Sequence, residues 1–462
     1  MRNSNGVHSL PVLRLLCLLT VASMLQPCSA QTSSSSLAAR PPMGWNSWDS
    51  YGLTITEPQF RENVAVLAKT LKPFGWNYAV IDEGWFLKNP QDRPTPEKLQ
   101  FELDANGRYI PVPSRFPSAI DHDENTGFVA LGAFVHAQGL KFGIHIVRGI
   151  PRESVDRNLP VAGSHFTAKD VADTADACPW DPTNWGVRDT PAGQAWYDSL
   201  LQQYASWGID YLKVDCISDH PYKPTEIRML HRAIVKTGRP IILSLSPGPT
   251  SPGIAKELIP YAQMWRISDD FWDYWKNPKT FPRSLHGQFE LAAAWSAYAK
   301  PETWPDADML PLGYLGPIPG EGEARDSRLT HDEQRTLLTL WSMARSPLIL
   351  GANLTKLDEW TTKLLTNRDI LDVNQFGHDQ RQAAVEGDAL AWTSSGKGNV
   401  RYLALFNLGD QEKTIKHAYA FYNLPGSSYS SRELWTERTT GRSEQFTVTL
   451  PPHGCALLEL KP

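Results

Sequence analysis

Between residues 41 and 380 the chain alternates short apolar runs with longer helix-like stretches, and glycines stop the helices. Runs at 43–45, 78–82, 141–146, 211–215, 241–246, 264–266, 302–304 and 347–350 have the length and apolar content of buried strands. Helical stretches at 129–138, 193–207 and 226–236 are followed by Gly139, Gly208 and Gly238. Strand and helix in alternation argue for a parallel sheet. Eight such units over about 330 residues fit a (β/α)8 TIM barrel with long loops. An open doubly wound sheet is the alternative, but no glycine-rich phosphate loop opens the first unit. Past residue 380 the pattern changes to short strand-like runs at 389–392, 401–406, 413–415, 431–435, 446–450 and 456–460, with Gly396, Gly398 and Gly409 between them. This predicts an antiparallel β-sandwich of about 80 residues. The expected division is a barrel at 41–380 and a sandwich at 381–462.

Composition narrows the partners. At 462 residues the chain is too long for one typical domain, and its formal charge of −5 gives no basic surface for nucleic acid. The 17 Trp favour a carbohydrate ligand, since indole faces pack on the apolar C–H faces of sugars. The N-terminus reads as a signal peptide over residues 1–30. Arg2 and Arg14 precede an apolar run at 15–25, and Cys28, Ser29 and Ala30 supply small residues for cleavage after Ala30. A Ser-rich flexible leader is expected over 31–40. No later segment reads as membrane-spanning, so the mature protein is expected to be secreted or periplasmic and free of the membrane. Export permits a disulfide. Cys178 with Cys216 is the preferred pair, because both are expected on loops past strand ends; free buried cysteines are the alternative. No close Cys/His spacing suggests a metal, and no cofactor motif is present.

The chemistry concentrates at 211–216, where Lys213 and Asp215 interrupt an apolar run two residues apart. Alternate strand residues share a face, so an ammonium and a carboxylate project together from a buried strand. Such charges are costly unless paired or used. Asp215 is thus a candidate nucleophile, with a structural ion pair as the plain alternative. In a TIM barrel chemistry sits at the C-terminal strand ends. Those ends carry Trp48; Asp82 and Glu83; His145; Lys213 and Asp215; Ser246; Arg266, Asp269 and Asp270; and Asp306 and Asp308. Many carboxylates with Trp and no metal cluster suit a neutral polyhydroxylated ligand. Asp306 and Asp308 are expected to orient loops, and Trp272 and Trp275 to pack the barrel. A Schiff-base barrel using Lys213 is physically allowed, though Asp215 opposes the lowered pKa it requires.

The ordered motifs resemble glycoside hydrolase family 27, the α-galactosidase family. "PPMGWNSWDSYG" at 41–52 is similar to the family's opening, "YAVIDEGW" at 78–85 to its second strand, "GLKFGIH" at 139–145 to its third and "YLKVDC" at 211–216 to its fourth. "MWRISDDFWD" at 264–273, "WPDADMLPLG" at 304–313 and "RSPLILGANL" at 345–354 resemble the sixth to eighth. The resemblance implies a retaining exo-glycosidase acting on terminal α-D-galactosides by double displacement, without cofactor. It makes Asp215 the nucleophile and Asp270 the general acid/base, with Asp82, Lys213 and Arg266 binding hydroxyls and Trp48 forming a wall. A retaining pair is expected about 5–5.5 Å apart. Three positions depart from the family. Glu83 stands where α-galactosidases have Asp, at the hydroxymethyl end of the sugar. β-L-Arabinopyranose has the ring stereochemistry of α-D-galactose without that group, so a β-L-arabinopyranosidase is the chief alternative. His145 replaces Tyr, and Ser246 lies in a fifth-strand end, "LSLSPGPTSPG", that lacks the family's substrate-selecting loop. This leaves the 2-position contacts open and weakens both an α-N-acetylgalactosaminidase and the galactosidase. A catalytically silent carbohydrate-binding protein on the same scaffold is the reading from another class. The insertion at 148–192 is expected to roof the pocket or select the aglycone.

Overall fold

A computed structural model describes residues 36–90, 98–181 and 183–462. The expected signal peptide and the leader as far as residue 35 lie outside the described residues. Eight parallel strands form one sheet: β1 (Met43–Asn46), β2 (Tyr78–Ile81), β3 (Lys141–Val147), β4 (Tyr211–Asp215), β5 (Ile242–Leu245), β6 (Met264–Arg266), β7 (Trp304–Asp306) and β8 (Leu348–Leu350). They pair in the order β7-β6-β5-β4-β3-β2-β1-β8. The order steps from β7 back to β1 and then joins the last strand to the first, as in a barrel, whereas a doubly wound sheet reverses its strand order at a switch point. The ring closes between β7 and β8 just past the end of β7. There Leu310 bridges Leu350 in parallel, and its N–H donates to the Ile349 carbonyl at 2.8 Å.

Local chemistry starts the outer helices where the sequence supplies it. Thr190 Oγ1 accepts the Gly193 N–H at 3.2 Å, and Pro191 opens the helix Pro191–Ser206. A reciprocal Thr330–Glu333 capping box opens His331–Ala344. The N-terminal end of the barrel is plugged by Tyr78, Tyr211, Met264 and Trp304, with Ala38 packed on them. Residues 36–40, expected to belong to a flexible leader, include this plug: the Ala38 carbonyl accepts the Trp304 Nε1–H at 2.8 Å.

The C-terminal region is antiparallel. Its strands are β9 (His378–Glu386), β10 (Ala389–Ser395), β11 (Arg401–Asn407), β12 (Lys413–Ala418), β13 (Tyr429–Glu433), β14 (Thr439–Ser443), β15 (Gln445–Leu450) and β16 (Cys455–Lys461). A six-stranded sheet runs β9-β10-β11-β16-β13-β14, and β12 pairs with β15. The sequence pattern misses β9 and β14 for the same reason. Both are polar edge strands, and β14 is exposed along its whole length, so neither has an apolar alternation to read. The sandwich packs on the barrel: Trp275 stacks on His453 with ring centroids 4.1 Å apart, and Trp435 Nε1–H donates to Thr339 Oγ1 at 2.9 Å. Trp275 therefore packs between the domains rather than within the barrel.

The insertion after β3 folds as a small antiparallel sheet of Ile150–Pro151, Ala172–Ala177 and Asn184–Val187. A Cys178–Cys216 disulfide ties it to the end of β4, with Cα atoms 5.9 Å apart and a sequence separation of 38 between the half-cystines. Closing a loop of this length contributes about 4 kcal/mol in the chain-entropy model. Replacing both cysteines by Ser is expected to lower the urea midpoint by a corresponding amount. An unchanged midpoint in oxidising buffer would show that the bridge adds no stability.

Candidate active site

A pocket opens at the C-terminal ends of the barrel strands. Trp48, Asp82, Glu83, His145, Lys213, Asp215, Ser246, Arg266 and Asp270 all line it. These nine side chains lie up to 222 residues apart in sequence, from Trp48 to Asp270, and only the closed sheet brings them together. Asp269 is absent from the lining, which adds Asp49, Phe271, Trp272, Asp308 and Met309. Trp272, expected as barrel packing, is buried and yet forms part of the wall.

At the end of β4 the Asp215 carboxylate is held at both oxygens. Oδ1 accepts the Cys216 N–H at 2.6 Å, and Oδ2 lies 3.7 Å from His145 Nε2. Burial pushes its pKa up, but His145, Lys213 and the Cys216 N–H outweigh burial and hold it below the ordinary carboxylate value. Lys213 contributes to this balance, yet its ion pair is with Asp82 Oδ2 at 2.9 Å, not with Asp215. Asn46 Nδ2–H donates to the same Asp82 oxygen at 2.6 Å, and Asp82 Oδ1 accepts the Glu83 N–H at 2.9 Å. Burial opposes ionisation of both partners, but the pair prevails: Asp82 is driven far below the usual carboxylate range and Lys213 above the usual amine value. The same pairing that raises the Lys213 pKa opposes the free amine that Schiff-base chemistry requires.

Gly84, with φ 95°, turns the chain directly after Glu83, and a Cβ there would sit 2.6 Å from the Leu53 carbonyl oxygen. This turn leaves the Glu83 carboxyl partly buried in the pocket wall. Burial is the first cause that raises its pKa well above the ordinary value. The carboxylates of Asp181, Asp215 and Asp82 add to it, as does a side-chain hydrogen bond with Asp181 from the insertion. The neutral acid therefore persists to higher pH than an ordinary Glu. Ionisation above that point places another negative charge beside Asp215. Glu83→Gln, which cannot ionise, is expected to move the alkaline limb of the kcat/KM profile to higher pH. A limb that stays in place assigns it to another group.

On the opposite side Arg266, at the end of β6, reaches Asp308 Oδ2 at 2.6 Å and Asp270 Oδ1 at 3.3 Å. Asp308, at φ 86°, also accepts the Phe271 N–H at 2.7 Å, so it pins the segment that carries Asp270. Burial holds the Asp308 pKa above the ordinary value even with Arg266 beside it. Its contacts match the loop-orienting part expected of it. Asp49 is the carboxyl that motif reading passed over. It is buried, its Oδ2 has no protein partner, and burial followed by the charge of Asp308 raises its pKa well above normal. Its place next to Trp48 in the first motif was the available signal. Among the described residues no three His, Cys, Asp or Glu side chains are grouped as metal ligands, and no helix among them is long and apolar enough to cross a membrane.

Residues 183–376 match the family model described as alpha galactosidase A, and residues 386–460 match that of the alpha galactosidase C-terminal beta sandwich domain. The crystal structure of a GH27 β-L-arabinopyranosidase from Geobacillus stearothermophilus is 41% identical, with a TM-score of 0.86. The match covers 92% of this chain and 97% of that one. The chain belongs to glycoside hydrolase family 27. Two further relatives of this family 27 hydrolase share less identity with it. Alpha-galactosidase 2 of Arabidopsis thaliana is 26% identical over 94% of this chain and 92% of its own length. Alpha-galactosidase I of Mortierella vinacea, a crystal structure, is 25% identical with a TM-score of 0.70, over 93% of this chain and 98% of that one.

Proposed function

We propose that this family 27 hydrolase is a retaining exo-glycosidase whose preferred terminal sugar is β-L-arabinopyranose. The observation that carries the reading is Glu83 in the pocket wall, one methylene longer than the Asp of the α-galactosidases. The added length fills the space that a galactose hydroxymethyl group needs, and β-L-arabinopyranose has no such group. Support also comes from the identity of 41% to a β-L-arabinopyranosidase, against 26% to an α-galactosidase. A variant of the Geobacillus enzyme, 40% identical to this chain, has been solved in complex with arabinose. The second reading is an α-galactosidase, favoured by both family models.

In this mechanism the ionised Asp215 attacks the anomeric carbon while Asp270 donates its proton to the departing oxygen. A covalent glycosyl-enzyme forms, and Asp270, now a base, takes a proton from the water that releases the sugar. The anomeric configuration is retained after two inversions. Lys213, Asp82 and Arg266 hold ring hydroxyls, and Trp48 and Trp272 form the apolar wall. A panel of aryl β-L-arabinopyranoside, α-D-galactoside and α-N-acetylgalactosaminide, with NMR of the first released anomer, tests the reading. Turnover of the arabinopyranoside with retention is expected. Inversion overturns the Asp215–Asp270 assignment, preference for galactoside selects the second reading, and no turnover leaves a carbohydrate-binding protein.

A further inference from the structure

All 17 tryptophans lie in the described residues, and Trp180, at 43% exposure, is the most exposed of them. It sits in the insertion two residues after Cys178, whose disulfide partner Cys216 directly follows Asp215. The same segment is anchored at Asp176, which pairs with Arg148 at 2.9 Å and Lys223 at 2.8 Å. An exposed indole at the end of a mobile loop would have no defined target. This one is fixed beside the nucleophile's strand.

The Trp180 ring lies against His220, with centroids 5.2 Å apart. His220 Nδ1 is 2.6 Å from Asp219 Oδ2, and its Nε2 is 3.5 Å from Asp269 Oδ1. Asp269 also faces Arg283 at 3.9 Å, and the Arg283 N–H donates to the Asp270 carbonyl at 2.8 Å. This frame thus runs from the residue after Asp215 to the residue before Asp270, outside the pocket but at its rim. It offers an aromatic face with carboxylates at its edge. A pyranose presents the complement, an apolar C–H face ringed by hydroxyls. The leaving group departs on the side of the acid that protonates it, which is the side where Asp269 stands.

We propose that Trp180 and His220, edged by Asp269, form a subsite for the sugar to which the terminal glycon is attached. This rests on the reading of Asp215 and Asp270 as the catalytic pair. It gives Asp269, which does not line the pocket, a part in the site.

The test compares substrates with and without a leaving-group sugar. kcat/KM is measured for β-L-arabinopyranosyl fluoride and for a β-L-arabinopyranosyl disaccharide, with α-D-galactosyl fluoride and melibiose as the second pair. Fluoride has no surface to stack. The disaccharide-to-fluoride ratio is expected to fall about five- to tenfold in Trp180→Ala, mainly through KM, and to be largely kept in Trp180→Phe. Both rates come from one preparation, so loss of folded enzyme cancels in the ratio. An active wild type whose ratio ignores Trp180→Ala overturns the subsite alone and leaves Trp180 free for another contact. A wild type that turns over neither pair overturns the glycosidase reading and the subsite with it.

Discussion

Replacing Asp215 with Asn is expected to lower kcat/KM on every aryl glycoside by about 10⁴-fold or more, the scale seen when a covalent nucleophile is removed. The amide keeps the side chain's shape and can still meet the Cys216 N–H. What it loses is the negative charge that attacks the anomeric carbon. His145 and Lys213 sustain that charge against burial, so the loss belongs to chemistry rather than to binding, and KM is expected to change far less than kcat. Rescue distinguishes a nucleophile from a structural carboxylate. Asp215→Gly with added azide should yield a glycosyl azide of inverted configuration, because the small anion attacks from the face the carboxylate vacated. Ordinary turnover in Asp215→Asn would remove this residue from the mechanism.

The second large effect concerns specificity. Glu83→Asp is expected to raise the ratio of kcat/KM for aryl α-D-galactoside over aryl β-L-arabinopyranoside by about ten- to hundredfold. Overpacking of a fitted pocket by one methylene costs roughly 1–3 kcal/mol, and specificity follows that difference. The change also shortens the reach of the carboxyl toward Asp181, which helps keep Glu83 protonated. Part of the gain is therefore expected to vary with pH. If galactoside hydrolysis does not rise, the steric account of Glu83 is wrong, and the selection must come from elsewhere in the wall.

Much of the architecture is legible without coordinates because its signals are local. All eight barrel strands were marked by apolar runs. The seventh begins at Trp304 rather than at 302, because Glu302 and Thr303 belong to the turn that Lys300 and Thr303 close. The edge strands β9 and β14 escape because polar residues on both faces carry no period. Within the site, motif positions gave nine wall residues. Asp49 was missed because its place beside Trp48 signals nearness to the pocket but not a carboxyl buried without a protein partner.

The sequence by itself determined the alternation of strand and helix, the change to an antiparallel region, and the presence of Lys213 and Asp215 on one face of a strand. These follow from periods of two and 3.6 residues and from glycine stops, which act over a few residues. Only the tertiary structure decided who pairs with whom. Lys213 takes Asp82, 131 residues away, and leaves Asp215 to His145 on the adjoining strand β3 and to its own neighbour's N–H. The reason is the closed parallel sheet. It sets strand ends from distant parts of the chain side by side, and charge interactions fall off with distance through space, whatever the separation along the sequence.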